Sequence, residues 1–197
     1  MKKAILASII LSLSIYFLSF NDSTSYKDGD IIFQTTTGAT GKAIQLATHS
    51  KYNHCGVLFF ENNEWVVYEA VQPVKKTSLK EFNERGKGTV KRLSTKSLSP
   101  DDISKLKVQF KKHEHKNYDE AFNWSDDQIY CSELVYKLYY HALQIELCKP
   151  RKLSDFDLSN PLVKEKLNEK YGNKLPMNEP MVSPEDIFSS SLLSSVK

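Results

Sequence analysis

Three short segments hold the side chains best suited to covalent chemistry. Tyr52-Asn53-His54-Cys55-Gly56-Val57 supplies an imidazole, Val67-Tyr68-Glu69-Ala70 a carboxylate, and Ile129-Tyr130-Cys131-Ser132-Glu133-Leu134 a thiol. A thiol becomes a strong nucleophile when an imidazole takes its proton. A carboxylate that accepts from the second ring nitrogen fixes the tautomer and orientation of that imidazole. Together these are the parts of a cysteine-nucleophile hydrolase, provided the fold brings them together.

The local elements decide whether it can. Residues 54–60 read as a strand, Glu61-Asn62-Asn63-Glu64 as a turn, and residues 65–70 as the return strand. Asparagine tolerates the positive φ of a tight hairpin, so Asn62 and Asn63 are read as its two central residues. Phe60 then faces Trp65 and Gly56 faces Glu69. Alternate residues share a face, which makes His54 and Glu69 diagonal neighbours, about 7–8 Å apart at the backbone. Cys55 points to the other face and is the poorer nucleophile candidate. Both faces of the hairpin are apolar, so it belongs in the middle of a sheet covered on both sides.

Cys131 opens a helix expected over residues 130–143, with Leu134, Val135, Leu138 and Ala142 on its buried stripe. Unpaired N–H groups at a helix start favour a thiolate, and can also hold the oxyanion formed when it attacks a carbonyl. Tyr130 and Ser132, which flank the thiol, and Gly56, which leaves room beside the histidine, are further candidates for substrate or oxyanion contact. Taken singly, each residue has an ordinary structural reading: a cysteine among Leu and Val is usually a small core residue. It is the three together, at these local positions, that argue for chemistry. His113-Glu114-His115 does not make a metal pair, because residues two apart on a helix face different ways.

Other elements frame this core. Ile31-Ile32-Phe33 reads as a short buried strand and residues 42–49 as a short helix, with Ile44 and Ala47 or Thr48 facing inward. A helix is expected over residues 77–85, capped by Ser78 or Thr77, and a strand over residues 89–93. Ser99-Pro100-Asp101-Asp102 is a helix start, and that helix is read as running to about His115. A helix over residues 161–171 and a short one begun by Ser183-Pro184-Glu185-Asp186 complete the chain.

The chain has 197 residues and a formal charge of +3, with Lys and Arg spread along it, so neither charge nor motif points to nucleic acid. Lys2 and Lys3 precede an apolar run over residues 4–20. That pattern is read as an export signal or an uncleaved membrane anchor, placing the protein in the bacterial periplasm or cell envelope. Residues 1–25 are thus leader and linker, and residues 26–197 one domain. With three cysteines, Cys55, Cys131 and Cys148, at least one thiol is unpaired within the chain.

Gly29-Asp30-Ile31-Ile32-Phe33, Ala43-Ile44-Gln45-Leu46-Ala47-Thr48, Asn53-His54-Cys55-Gly56, Tyr68-Glu69-Ala70-Val71-Gln72-Pro73-Val74 and the run Ile129-Tyr130-Cys131-Ser132-Glu133-Leu134-Val135 resemble the YiiX-type proteins. These are a bacterial branch of circularly permuted NlpC-type papain-like hydrolases. The resemblance covers the chain from about Gly29 to the Ser183-Pro184 segment and departs from it at Lys116-Asn117, where a glycine-containing turn is usual. It implies an α+β fold in permuted order, an antiparallel sheet packed against helices that include the cysteine helix. It further implies Cys131 as nucleophile, His54 as general base and acid, and Glu69 as the orienting residue, with no cofactor or metal. A peptide of the cell wall is the expected substrate. An acyl-lipid is the alternative, since the permuted branch also resembles lecithin:retinol acyltransferase-like enzymes, and a non-catalytic binding module is a third.

Overall fold

The computed structural model describes residues 26–196. The reading of residues 1–25 as signal or anchor lies outside those residues. Among the described residues, no helix is long and apolar enough to cross a membrane.

In chain order the elements are β1 (Ile31–Gln34), α1 (Ala39–Thr48), β2 (His54–Glu61), β3 (Glu64–Glu69), β4 (Lys75–Ser78), α2 (Leu79–Glu84), β5 (Thr89–Leu93), α3 (Pro100–Lys111) and α4 (Cys131–Leu143). Then follow β6 (Arg151–Lys152), α5 (Pro161–Tyr171), β7 (Pro180–Met181), α6 (Pro184–Phe188) and β8 (Leu193–Ser195). Six strands form one antiparallel sheet in the order β4-β3-β2-β1-β5-β8. The hairpin β2–β3 thus lies inside the sheet. Its turn residues Asn62 and Asn63 have φ of 50° and 64°, and its register pairs Phe60 with Trp65 and Glu61 with Glu64. Two positive φ angles match the turn to the right-handed twist of the strands, which is why a two-residue connection suffices.

Alternation sends Ile31, Phe33, Cys55, Val57, Phe59 and Tyr68 into the main core, where α3 and α4 supply Leu106, Phe110, Leu134, Val135 and Tyr139. Ile32, Leu58, Val67 and Val90 face the other way, against Phe82 of α2. Helix α4 is buried from Cys131 through Tyr139 and packs on β2, β3, α3 and α6. Such all-round burial marks it as the central helix rather than an amphipathic surface one.

Two expectations need correction. The helix expected over residues 77–85 is present as α2 with Ser78 as its cap, accepting from the Glu81 N–H at 3.1 Å, but it begins at Leu79, and Thr77 is buried in β4, paired with Val67 of β3. The β-branched Thr77 fits the pleated sheet better than a helix cap. Helix α3 ends at Lys111 rather than near His115, because the backbone at residues 115–116 pairs with Val74 at 2.9 Å in both directions and His115 turns with φ of 71°.

Candidate active site

His54 is the first residue of β2 and Glu69 the last of β3. Extending the register puts Gly56 opposite Glu69, with His54 one diagonal step away. His54 Nε2 and Glu69 Oε2 are 2.5 Å apart, and Glu69 is entirely buried. The other carboxylate oxygen, Oε1, accepts from Arg85 Nη2 at 2.6 Å. Glycine at position 56 is a packing necessity: a Cβ there would lie 2.5 Å from Val67 Cγ1 and 2.9 Å from the Tyr68 carbonyl oxygen. The space it leaves is filled by β3 itself.

Cys131 is the first residue of α4, so unpaired N–H groups of the first turn lie beside its thiol. Glu133 Oε2 accepts from the Tyr130 N–H at 3.4 Å, helping the helix begin there. The Tyr130 hydroxyl accepts from the Val182 N–H at 3.1 Å, and Ser132 Oγ donates to the Val182 carbonyl at 2.7 Å. Both flanking hydroxyls are therefore engaged with Val182: Ser132 uses its proton there, while Tyr130 only accepts and keeps its O–H to donate.

His54, the Cys55 thiol and the Cys55 backbone N–H are the groups beside the Cys131 thiol that favour its ionised form. Since His54 Nε2 is taken by Glu69, Nδ1 is the ring nitrogen left for the sulfur. The two approach from opposite sides of the sheet, His54 from the α2 face and Cys131 from the α4 face, and meet where β2 and α4 both begin. The Tyr118 hydroxyl is a further neighbour of the Cys131 thiol.

The chain as a whole is similar to known proteins. A family model described as "permuted papain-like amidase enzyme, YaeF/YiiX, C92 family" matches residues 25–197. The chain belongs to this family. YiiX of Escherichia coli strain K12 is 43% identical over 191 residues, covering 95% of this chain and 93% of that protein. The crystal structure of YiiX from Escherichia coli O157:H7, described as a metalloprotein, superposes with a TM-score of 0.83 at 45% identity, covering 87% of this chain and 96% of that one. The permuted papain-like fold is thus shown, and the antiparallel sheet with its covering helices is its expression here.

Within this YaeF/YiiX frame, Cys55, Tyr118 and Arg85 are the neighbours that sequence reasoning passed over. Cys55 points away from His54, and it shares the main core with Cys131. All three cysteines are free thiols.

The electrostatics follow from the contacts. Burial alone pushes His54 down, but hydrogen bonds to Cys131 and Glu69 and the charges of both lift it from 6.5 to about 9. The Cys55 thiol, donating to Cys131, and then the imidazole of His54 hold the Cys131 thiol well below its usual value despite burial. Burial and the neighbouring Cys131 push the Cys55 thiol up. Burial also raises Glu69, but the His54 hydrogen bond and charge, with Arg85, keep it below the usual carboxylate range. Between the two limits lies a pH range in which thiolate and imidazolium coexist.

Cys131 opens onto an apolar cleft of about 110 Å³ between α1, α5 and the segment around β7. Ile44, Ala47, Phe156, Val163, Leu167 and Met181 line it, with Lys166 and Lys170. Both lysines have carboxylate partners, Lys166 with Glu169 at 2.7 Å and Lys170 with Glu120 at 3.5 Å.

Proposed function

We propose that this member of the YaeF/YiiX family is a cysteine hydrolase that cleaves an amide or ester through a thioester on Cys131. The Cys131 thiolate attacks the carbonyl carbon, and the negative charge moves to the carbonyl oxygen. The N–H groups at the start of α4 and the Tyr118 hydroxyl are the donors at hand for that oxygen. The tetrahedral intermediate collapses as His54 gives its proton to the departing amine or alcohol, leaving an acyl thioester and a neutral imidazole. His54 then takes a proton from water, whose hydroxide adds to the thioester. Collapse of the second intermediate releases the carboxylic acid and restores the thiolate and imidazolium. Glu69 keeps Nε2 protonated throughout, so that Nδ1 does the proton transfer.

The single observation that carries this reading is the placing of Cys131, at the start of α4 and in the lining of an apolar cleft, beside a His54 that is itself fixed by Glu69 at 2.5 Å. The cleft also bears on the substrate. Wall peptides are polar, and burying unpaired polar groups against aliphatic walls is unfavourable. An acyl chain suits it better, so the acyl-lipid reading is favoured over the cell-wall peptide. The volume, about 110 Å³, is below the 300–1,000 Å³ of sites that enclose drug-sized ligands. It therefore encloses a short acyl group or one end of a longer chain. The amino-terminal run over residues 4–20 supports placing this activity in the cell envelope, at or near the membrane.

The E. coli relative is described as a metalloprotein. Among the described residues here, no group of three or more His, Cys, Asp or Glu is placed to hold an ion, and no step above is routed through one.

The test is to offer the full chain p-nitrophenyl acetate, butyrate and octanoate, and separately purified wall sacculi. Intact-mass spectrometry after acid quench reports acyl adducts. Acyl adducts confined to Cys131, with esters preferred over sacculi, would support the reading. Release of free amino groups from sacculi without any acyl adduct from the esters would replace it with the wall-peptide reading.

A further inference from the structure

Arg85 lies outside the three segments that carry the chemistry, yet the fold fixes it against them. We propose that Arg85 is a positioning residue of this site: its guanidinium holds the Glu69 carboxylate in the orientation that receives His54, and its positive charge sets the pH at which the Cys131–His54 ion pair forms. The proposal rests on the cysteine-hydrolase reading above.

Both oxygens of the buried carboxylate are in use. Oε2 meets His54 Nε2 at 2.5 Å, and Oε1 meets Arg85 Nη2 at 2.6 Å. With one oxygen clamped, the carboxylate cannot turn without breaking a charge-assisted hydrogen bond. The side chains also lie side by side. The Arg85 guanidinium lies 5.2 Å from the centre of Phe82, whose ring lies 5.8 Å from that of His54 at an interplanar angle of 30°. Arginine, Phe82 and imidazole thus form one layer on the α2 face of the sheet.

The backbone around Arg85 is tied down on both sides. Gln34 Nε2 donates to the Phe82 carbonyl at 2.6 Å and also to the Gly86 carbonyl. Gln34 is the cross-strand partner of His54 on β1, so the end of α2 is anchored directly to the strand position opposite the imidazole. Gly86 has φ of 150°, and a Cβ there would lie 2.4 Å from the Thr35 carbonyl oxygen. Only glycine lets the chain leave α2 so close to β1. A surface ion pair would need none of this.

Titratable and charged groups reach the pair from five directions. Cys131 comes from α4, Tyr118 and Tyr130 from the loop before it, Cys55 and His54 from β2, Glu69 from β3 and Arg85 from the end of α2. Lys75 of β4 is opposite Glu69 in register, but its ammonium pairs with Glu81 at 3.3 Å. Removing a fixed cation favours proton binding at each neighbouring acid and base. The thiolate of Cys131 and the imidazolium of His54 should therefore both titrate at higher pH once Arg85 is neutralised.

The experiment compares full-chain wild type, Arg85→Gln and Arg85→Lys. Two quantities are followed against pH: the iodoacetamide alkylation rate of Cys131, mapped by mass spectrometry, and kcat/KM on p-nitrophenyl butyrate. Arg85→Gln is expected to move the alkylation midpoint and both limbs of the kcat/KM profile to higher pH. It should also lower kcat/KM by about ten- to a hundredfold, the scale of a small misplacement in a catalytic array. Arg85→Lys keeps the charge without the planar fork, so it should restore the midpoint but only part of the rate. An unshifted midpoint in Arg85→Gln, or a full wild-type rate in Arg85→Lys, would overturn the proposal. If Arg85→Gln does not fold, the Arg85→Lys profile alone decides. A wild-type Cys131 that alkylates only in the range of a free thiol would sink the hydrolase reading itself, an outcome distinct from either.

Discussion

At the scale of single residues, the proposed site is a succession of thiol, imidazole, carboxylate and guanidinium, with Glu69 2.5 Å from His54 and 2.6 Å from Arg85. The His54–Glu69 contact does the most to set the pH range. Glu69→Gln removes the charge that helps lift His54 to about 9, so the alkaline limb of kcat/KM should move to lower pH. The limb falls because a group whose folded pKa is raised holds its proton below that value and loses it above. Replacing the acceptor also frees the imidazole to adopt the wrong tautomer, and kcat should fall about 10²- to 10⁴-fold, measured on an acyl ester. These residues were legible because a hairpin has a period of two and a helix start is visible in sequence. What stayed hidden was contact across the sheet. Cys55 was rightly sent to the face opposite His54, and it is on that face that Cys131 arrives. Arg85 was read only as the end of a helix, since nothing local says which carboxylate a guanidinium will reach.

At the scale of elements, the site depends on how closely β2 approaches β3. Gly56→Ala would drive a methyl group to 2.5 Å from Val67 Cγ1 and 2.9 Å from the Tyr68 carbonyl oxygen. The second contact is backbone and cannot give way by a rotamer change. The variant should lose about 1–3 kcal/mol in urea unfolding and lose activity beyond what that destabilisation explains, because β3 carries Glu69. The helix starts at Ser99 and Ser183 were legible from local signals, each a polar cap followed by proline. The strand at Lys75–Ser78 was not. Four residues including two lysines carry little pattern, and their extended form is imposed by pairing with β3. The end of α3 was likewise set by a distant partner, Val74, rather than by any stop signal.

At the scale of the whole molecule, the permuted chain delivers His54 and Glu69 on a central hairpin first and the cysteine helix later, and the sheet order closes them on one point. The same packing leaves the apolar cleft between α1 and α5, with Cys131 among its lining residues. Ala47→Trp should fill that cleft from α1. It is expected to lower kcat/KM on p-nitrophenyl octanoate by about tenfold or more, the effect of losing room for a few methylenes, while leaving the pH dependence of Cys131 alkylation unchanged. The cleft could not be read from sequence, because its walls come from six separate stretches whose apolar residues looked like ordinary core.

The central claim is that Cys131 and His54 form a thiolate–imidazolium pair. It is tested most directly by mapping iodoacetamide labelling of the full chain across pH 4 to 9, a range chosen to span the ordinary His and Cys values. The account predicts selective labelling of Cys131 well below the free-thiol value of about 8.5, with Cys55 protected, and loss of that low-pH reactivity in His54→Ala. Labelling of Cys131 only near that value, or identical profiles with and without His54, would contradict it.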